Sequence, residues 1–167
     1  MAVCHEYRRS KRRCYLSINV AYDPQPWPQA IENIAALRRR LSIEAPCCRI
    51  VASVGEIDLA RAEGKIAVTF DIEGVNALNG RIDLVQLYYE IGVRHMLFAY
   101  NRNNLAGSGC HDEDIGLTDF GRQVIDEMNR VRNGRGLLPH RSQDHYGRNG
   151  AFGRSGDLFP FQCKSPC

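Results

Sequence analysis

No apolar run in this 167-residue chain approaches the roughly 18 residues that a membrane helix requires. The opening stretch, MAVCHEYRRSKRR, is basic but has no apolar core, which argues against a secretory signal peptide and leaves a cytoplasmic location as the expectation. No CxxC pair occurs among the seven cysteines, Cys4, Cys14, Cys47, Cys48, Cys110, Cys163 and Cys167. An odd number without that spacing points away from a disulfide framework or a zinc ribbon and toward reduced thiols. GxGxxG and GxxxxGK[ST] are also missing, which weakens the nucleotide-binding versions of an α/β fold.

Charge of either sign is moderate, with a net value of +3, but it is unevenly placed. Arg8, Arg9, Lys11, Arg12 and Arg13 crowd one end, and Arg130, Arg132, Arg135, Arg141, Arg148 and Arg154 are scattered through the other. Two readings stand: solvated flanks, or contact with nucleic acid or an acidic partner. No aromatic or glycine-rich binding motif accompanies the arginines, so the first is favoured and nucleic acid is not the expected partner.

What is present is alternation. CYLSINVAYD has the pattern of a strand. After it, Pro28 suits a first helical turn, and Ile31, Ile34, Ala35, Leu37 and Leu41 recur at helical spacing until Pro46. VGEIDLARAEGK predicts a short helix ending at Gly64. KIAVTFDIEG predicts a strand with apolar residues on both faces, as a parallel strand covered on both sides requires. RIDLVQLYYEIG predicts a helix with Ile82, Val85, Leu87 and Tyr89 apolar and Gly92 as its stop, and VRHMLFAYN a further strand. Thr118 is placed to cap a helix carrying Phe120, Val124, Ile125 and Met128. Strand and helix in alternation indicate βαβ crossovers and a parallel sheet, either a (β/α) barrel or an open doubly wound sheet.

In such folds the working residues lie at the carboxyl ends of strands. That rule selects Asp71 and Glu73 after one strand, and Tyr100, Asn101, Asn103 and Asn104 after the next. A carboxylate there can ligate a metal, act as a general base, cap a helix or form an ion pair. In the loop that follows, Asp112, Glu113 and Asp114 with Asn103 and Asn104 offer oxygen ligands for calcium, but without EF-hand spacing a solvated acidic turn is the favoured reading. Cys110 and His111 alone cannot close a tetrahedral zinc site. His95 falls mid-strand, where a packing role is expected, and His140 and His145 lie outside any helical pattern.

VTFDIEGVNAL, YYEIGVRHMLFAYNRNN and GLTDFGRQVIDEMNRV together closely resemble the membrane dipeptidase (renal dipeptidase) family, peptidase family M19, and most of all its bacterial members. The likeness runs in order from about residue 17 to residue 131. It implies a (β/α)8 TIM barrel with two zinc ions per site, hydrolysing dipeptides by a metal-activated water. By the same resemblance Glu73 matches the carboxylate that bridges the metals, and Tyr100 falls where some members place a substrate-contacting histidine. Asp71 shares the face of Glu73 by the two-residue period of a strand and is expected to be a supporting or packing acid.

The departures are as informative. The family's amino-terminal His-x-Asp metal motif is not here, since His5 is followed by Glu6 and Tyr7, and the carboxyl-terminal Ser-His elements are missing as well. Residues 132–167 lose all periodicity. Read one base later with permitted codons, Arg132 to Gly147 can yield Gly-Met-Val-Val-Asp-Cys-Ser-His-Ile-Gly-His-Arg-Thr-Thr-Met, which resembles the family's next strand with its histidine.

The expectation is therefore three segments: a basic amino-terminal stretch over 1–14, a dipeptidase-like βα barrel fragment over 15–131 with about three of the eight strands, and an out-of-frame tail over 132–167. Such a fragment lacks most metal ligands, which predicts an inactive member of an enzyme family, and its open sheet edges invite self-association. The alternative is a non-catalytic module that binds nucleic acid or an acidic partner through its basic ends; a third reading is an out-of-frame product without function.

Overall fold

The computed structural model describes residues 15–132. The basic amino-terminal stretch with His5, Cys4 and Cys14, and the tail with His140, His145, Cys163 and Cys167, lie outside the described residues.

Among the described residues, four parallel strands and four α-helices alternate. β1 (Tyr15–Tyr22) is followed by α1 (Trp27–Glu44), β2 (Cys48–Ile50) and α2 (Val54–Ala62). Then come β3 (Ile66–Glu73), a 3-10 turn over Val75–Leu78, α3 (Asp83–Glu90), β4 (Val93–Leu97) and α4 (Asp119–Arg132). β3 is the hub. β1 pairs with it over nearly its whole length, from Tyr15 opposite Ala67 to Tyr22 opposite Glu73. β2 pairs with Ile66–Val68 and β4 with Phe70–Glu73, so these two strands share the edge that β1 does not occupy.

The helices form where the apolar spacing demands. α1 begins with Pro28 in its first turn, where a missing N–H costs nothing, and turns Ala30 and Ile34 inward while Arg38, Arg39 and Arg40 stay wet. α4 buries Val124, Ile125, Met128 and Val131, spaced by three and four residues. These side chains meet Leu84, Val85 and Tyr88 of α3 and Val68, Phe70 and Ile72 of β3 in one apolar cluster. Ala67, on the alternate face of β3, packs with Val51 and Ala60 in a second, smaller cluster. Both faces of β3 are thus covered at its amino end, as expected, but toward the carboxyl end the alternate face becomes polar.

Two expectations are corrected. Among the described residues the sheet has four strands rather than three, because β2 is a three-residue strand with no alternation to betray it. Leu87, one of the apolar positions of α3, is 39% exposed; Leu84, Val85 and Tyr88 hold the inner face, as one i, i+1, i+4 set on an eight-residue helix. Cys47 is disulfide-bonded, whereas Cys48 and Cys110 are free thiols. An odd count of cysteines leaves room for a pair, and spacing alone does not exclude one.

Candidate functional site

The polar half of β3 is built by period and register. Thr69, Asp71 and Glu73 alternate with Val68, Phe70 and Ile72, so the three polar side chains share the face opposite the main core. Parallel pairing sets Ser17 beside Thr69, Asn19 beside Asp71 and His95 beside Asp71 from the other edge. The contacts run diagonally up this face. The Tyr15 hydroxyl meets Thr69 Oγ1 at 2.6 Å and His95 Nε2 at 3.0 Å. Ser17 Oγ donates to Asp71 Oδ2 at 2.5 Å, and Asn19 Nδ2 to Asp71 Oδ1 at 3.1 Å. Burial pushes the Tyr15 phenol up from its ordinary value, against the opposing pull of Thr69 and Ser17. Asp71 is therefore a packing acid held by β1, and His95 a hydrogen-bonded strand histidine, both as expected.

Glu73 closes β3 at the mouth. It is half-buried, and among the described residues its carboxylate takes part in no hydrogen bond or ion pair. Its backbone carbonyl is held by the Asp23 N–H at 2.8 Å. Gly74 then turns the chain with φ +108°, a region side chains avoid, and the Gly74 and Val75 amides donate to Leu97 and Phe98 carbonyls at 2.9 and 3.1 Å. The strand ends of β3 and β4 are laced together, which brings Glu73 and the loop of Tyr100 to the same end of the sheet.

Tyr100 stands 45% exposed at the start of that loop, its carbonyl accepting from the Cys110 amide at 2.9 Å. The remaining loop candidates hold the loop itself. Asn103 Nδ2 donates to the Glu113 carbonyl at 2.9 Å, and its Oδ1 accepts from the Gly109 amide at 2.8 Å. Asp112 accepts from the Asn103 amide and pairs with Arg102 at 2.6 Å; the Arg102 hydrogen bond holds its carboxyl below the usual value. Asp114 accepts from Ser108 and the Gly116 amide, with the same effect on its carboxyl. These acids form the structured polar turn, spent on the backbone.

Sequence reasoning missed Asp23 as a partner of the site. Its carboxylate lies half-buried under the Gly74 turn, accepting from the Asn76 amide at 3.1 Å and from Asn104 Nδ2 at 2.7 Å. The strand-end rule that selects Glu73 applies equally to Asp23, the last residue of CYLSINVAYD, but its partners, 53 and 81 residues away, leave no trace in the chain.

Among the described residues no three His, Cys, Asp or Glu side chains gather where they could hold a metal ion. A zinc ion needs about four ligands, three from protein in a catalytic site. One strand-end carboxylate does not meet that need, and Asp71 and Asp23 are already committed to hydrogen bonds. The described residues do not fit a dinuclear zinc centre.

The model of the membrane dipeptidase family, peptidase family M19, matches residues 14–132. The chain belongs to the membrane dipeptidase family. Among individual relatives, an uncharacterized protein in the PQQ-III 3' region of Acinetobacter calcoaceticus is 32% identical over 108 residues, 58% of this chain and 34% of that protein. Dipeptidase 3 of Rattus norvegicus is 27% identical over 109 residues, 61% of this chain and 22% of that one. The chain thus spans about a third or less of these relatives.

Solved structures agree. An amidohydrolase from Pseudomonas aeruginosa superposes with a TM-score of 0.72 at 27% identity, covering 78% of this chain and 40% of that one. A metallo peptidase from Rhodobacter sphaeroides, solved with a phosphinate mimic of the dipeptide L-Ala-D-Ala, gives 0.64 at 18% identity, covering 77% and 46%, and speaks for the fold alone. The parallel sheet described above is a partial (β/α)8 barrel of the dipeptidase type. No helix of the described residues is long and apolar enough to cross a bilayer.

Proposed function

We propose that this chain carries the central βα units of a dipeptidase barrel, with Glu73 in the position of the metal-bridging carboxylate and Tyr100 beside the substrate path, and that it does not by itself hydrolyse dipeptides. The observation that carries the reading is Glu73 itself: a half-buried acid at the carboxyl end of the hub strand, without a partner among the described residues, in a family of metallopeptidases. Membership supports a metal cofactor and a dipeptide substrate for an intact relative, zinc being the ion expected and two the expected number. The ligand set of the described residues supports the second half of the proposal, since one carboxylate cannot hold a metal pair in place.

The purified chain, given zinc and L-Ala-D-Ala, is expected to turn over no more dipeptide than the zinc-containing blank. Turnover that disappears in Glu73→Ala overturns this. The out-of-frame reading of 132–167 belongs to the same proposal, and the nucleotide sequence tests it: codons that cannot yield the second reading refute it.

A further inference from the structure

Asp23 and Asn104 join three loop regions at the barrel mouth. The Asp23 amide donates to the Glu73 carbonyl at 2.8 Å, and the Asp23 carboxylate accepts from the Asn76 amide at 3.1 Å. These two contacts grip the chain on both sides of the Gly74 turn. The same carboxylate accepts from Asn104 Nδ2 at 2.7 Å, and that nitrogen also donates to the Phe98 carbonyl at 2.7 Å. Asn104 Oδ1 in turn accepts from the Ala106 amide at 2.9 Å. Space at the turn is reserved for this carboxylate: a Cβ on Gly74 would fall 2.1 Å from Asp23 Cγ and 2.2 Å from both of its oxygens. A single acid from the end of β1 therefore ties the exit of β3 to the exit of β4.

We infer that Asp23 is a positioning residue, a clamp that sets where Glu73 stands relative to the loop carrying Tyr100. It touches neither metal nor substrate in this scheme; it acts through the Glu73–Asn76 backbone and through Asn104. Its functional weight rests on the proposed role of Glu73, while the clamp itself is a matter of geometry.

Amide hydrogen exchange on the full chain, read residue by residue with carboxyl-carbon NMR of Glu73 during a zinc titration, tests both. Asp23→Ala is expected to speed exchange about tenfold or more at Gly74, Val75, Asn76 and Ala106, leaving the β1–β3 ladder within about twofold of the parent chain. Asp23→Asn keeps an oxygen for the Asn76 amide but faces Asn104 with a donor, so protection returns at Asn76 and not at Ala106. Asn104→Ala is expected to loosen Ala106 and spare Asn76. Unchanged exchange at 74–76 in Asp23→Ala, or loosening spread evenly through the sheet, overturns the clamp. If Asp23→Ala does not fold, the split response of Asp23→Asn and Asn104→Ala decides alone, and uniform exchange in both overturns it. Zinc that perturbs Glu73 in the parent chain but not in Asp23→Asn supports the positioning role. Local loosening with no zinc response at Glu73 in the parent chain leaves the clamp standing and overturns the ligand reading instead.

Discussion

Single residues at the mouth differ in how far a sequence can reveal them. The place of Glu73 was legible, because an apolar strand that ends on an acid puts it at the carboxyl end of β3; its role as a metal ligand is the proposal above. Asp71 was legible in direction, by the two-residue period, though not in its contacts with Ser17 and Asn19. Asp23 was legible in place, at the end of CYLSINVAYD, but not in its role, since its two side-chain contacts come from other loops. Burial pushes its carboxyl above the ordinary 3.8, partly offset by the hydrogen bonds from Asn104 and Asn76. A raised folded value means the folded state holds this proton more tightly than the unfolded chain. The contribution to stability is then full below 3.8 and is lost as pH rises through the folded value. The stability of Asp23→Asn relative to the parent chain should therefore climb as pH rises from below 3.8, measured by urea midpoints; a difference that falls contradicts the assignment. Tyr88 offers a plainer case. It is fully buried, donates to the Ala77 carbonyl at 2.9 Å, and its phenol is pushed up to about 12 by burial. Tyr88→Phe should cost about 1 kcal/mol in chemical denaturation, because a carbonyl loses its donor while the ring still fills its place.

Elements were read more surely than their edges and faces. Apolar spacing and cap residues located α1, α2, α3 and α4, since a helix reports its buried stripe every three to four residues. β2 escaped because three residues carry no period at all. Composition does not fix which face of α3 turns inward, because a short helix can be rotated about its axis, and tertiary packing chose the face of Tyr88. The caps allow a quantitative comparison. Thr118 Oγ1 accepts from the Gly121 amide at 3.0 Å while its hydroxyl donates to the Leu105 carbonyl, so it joins α4 to the preceding loop. Ser53 Oγ accepts from the Glu56 amide at a longer 3.4 Å. Thr118→Ala should destabilise by about 1–2 kcal/mol and Ser53→Ala by about 0.5 kcal/mol, read from thermal or urea unfolding. A reversed order would mean that the first turn of α2, not the loop junction at α4, limits stability.

At the scale of the molecule, the described sheet is a barrel wall with open sides. β1 and β4 each pair with β3 alone among the described residues, leaving an outer edge on each side of the sheet. Unpaired parallel strands are templates for further pairing. Sedimentation of the chain should show association that grows across the micromolar range; a monomer at every concentration tested would show that the edges are covered. Residue types and periods determined the local elements, the parallel order and the acid at the mouth, because those depend on neighbours within a few positions. Tertiary structure alone decided that β3 is the hub, that Asp71 is bound to β1, and that Asp23 and Asn104 lock two strand exits together. Those outcomes depend on which strand lies beside which, and pairing between segments fifty to eighty residues apart leaves no periodic trace in the chain.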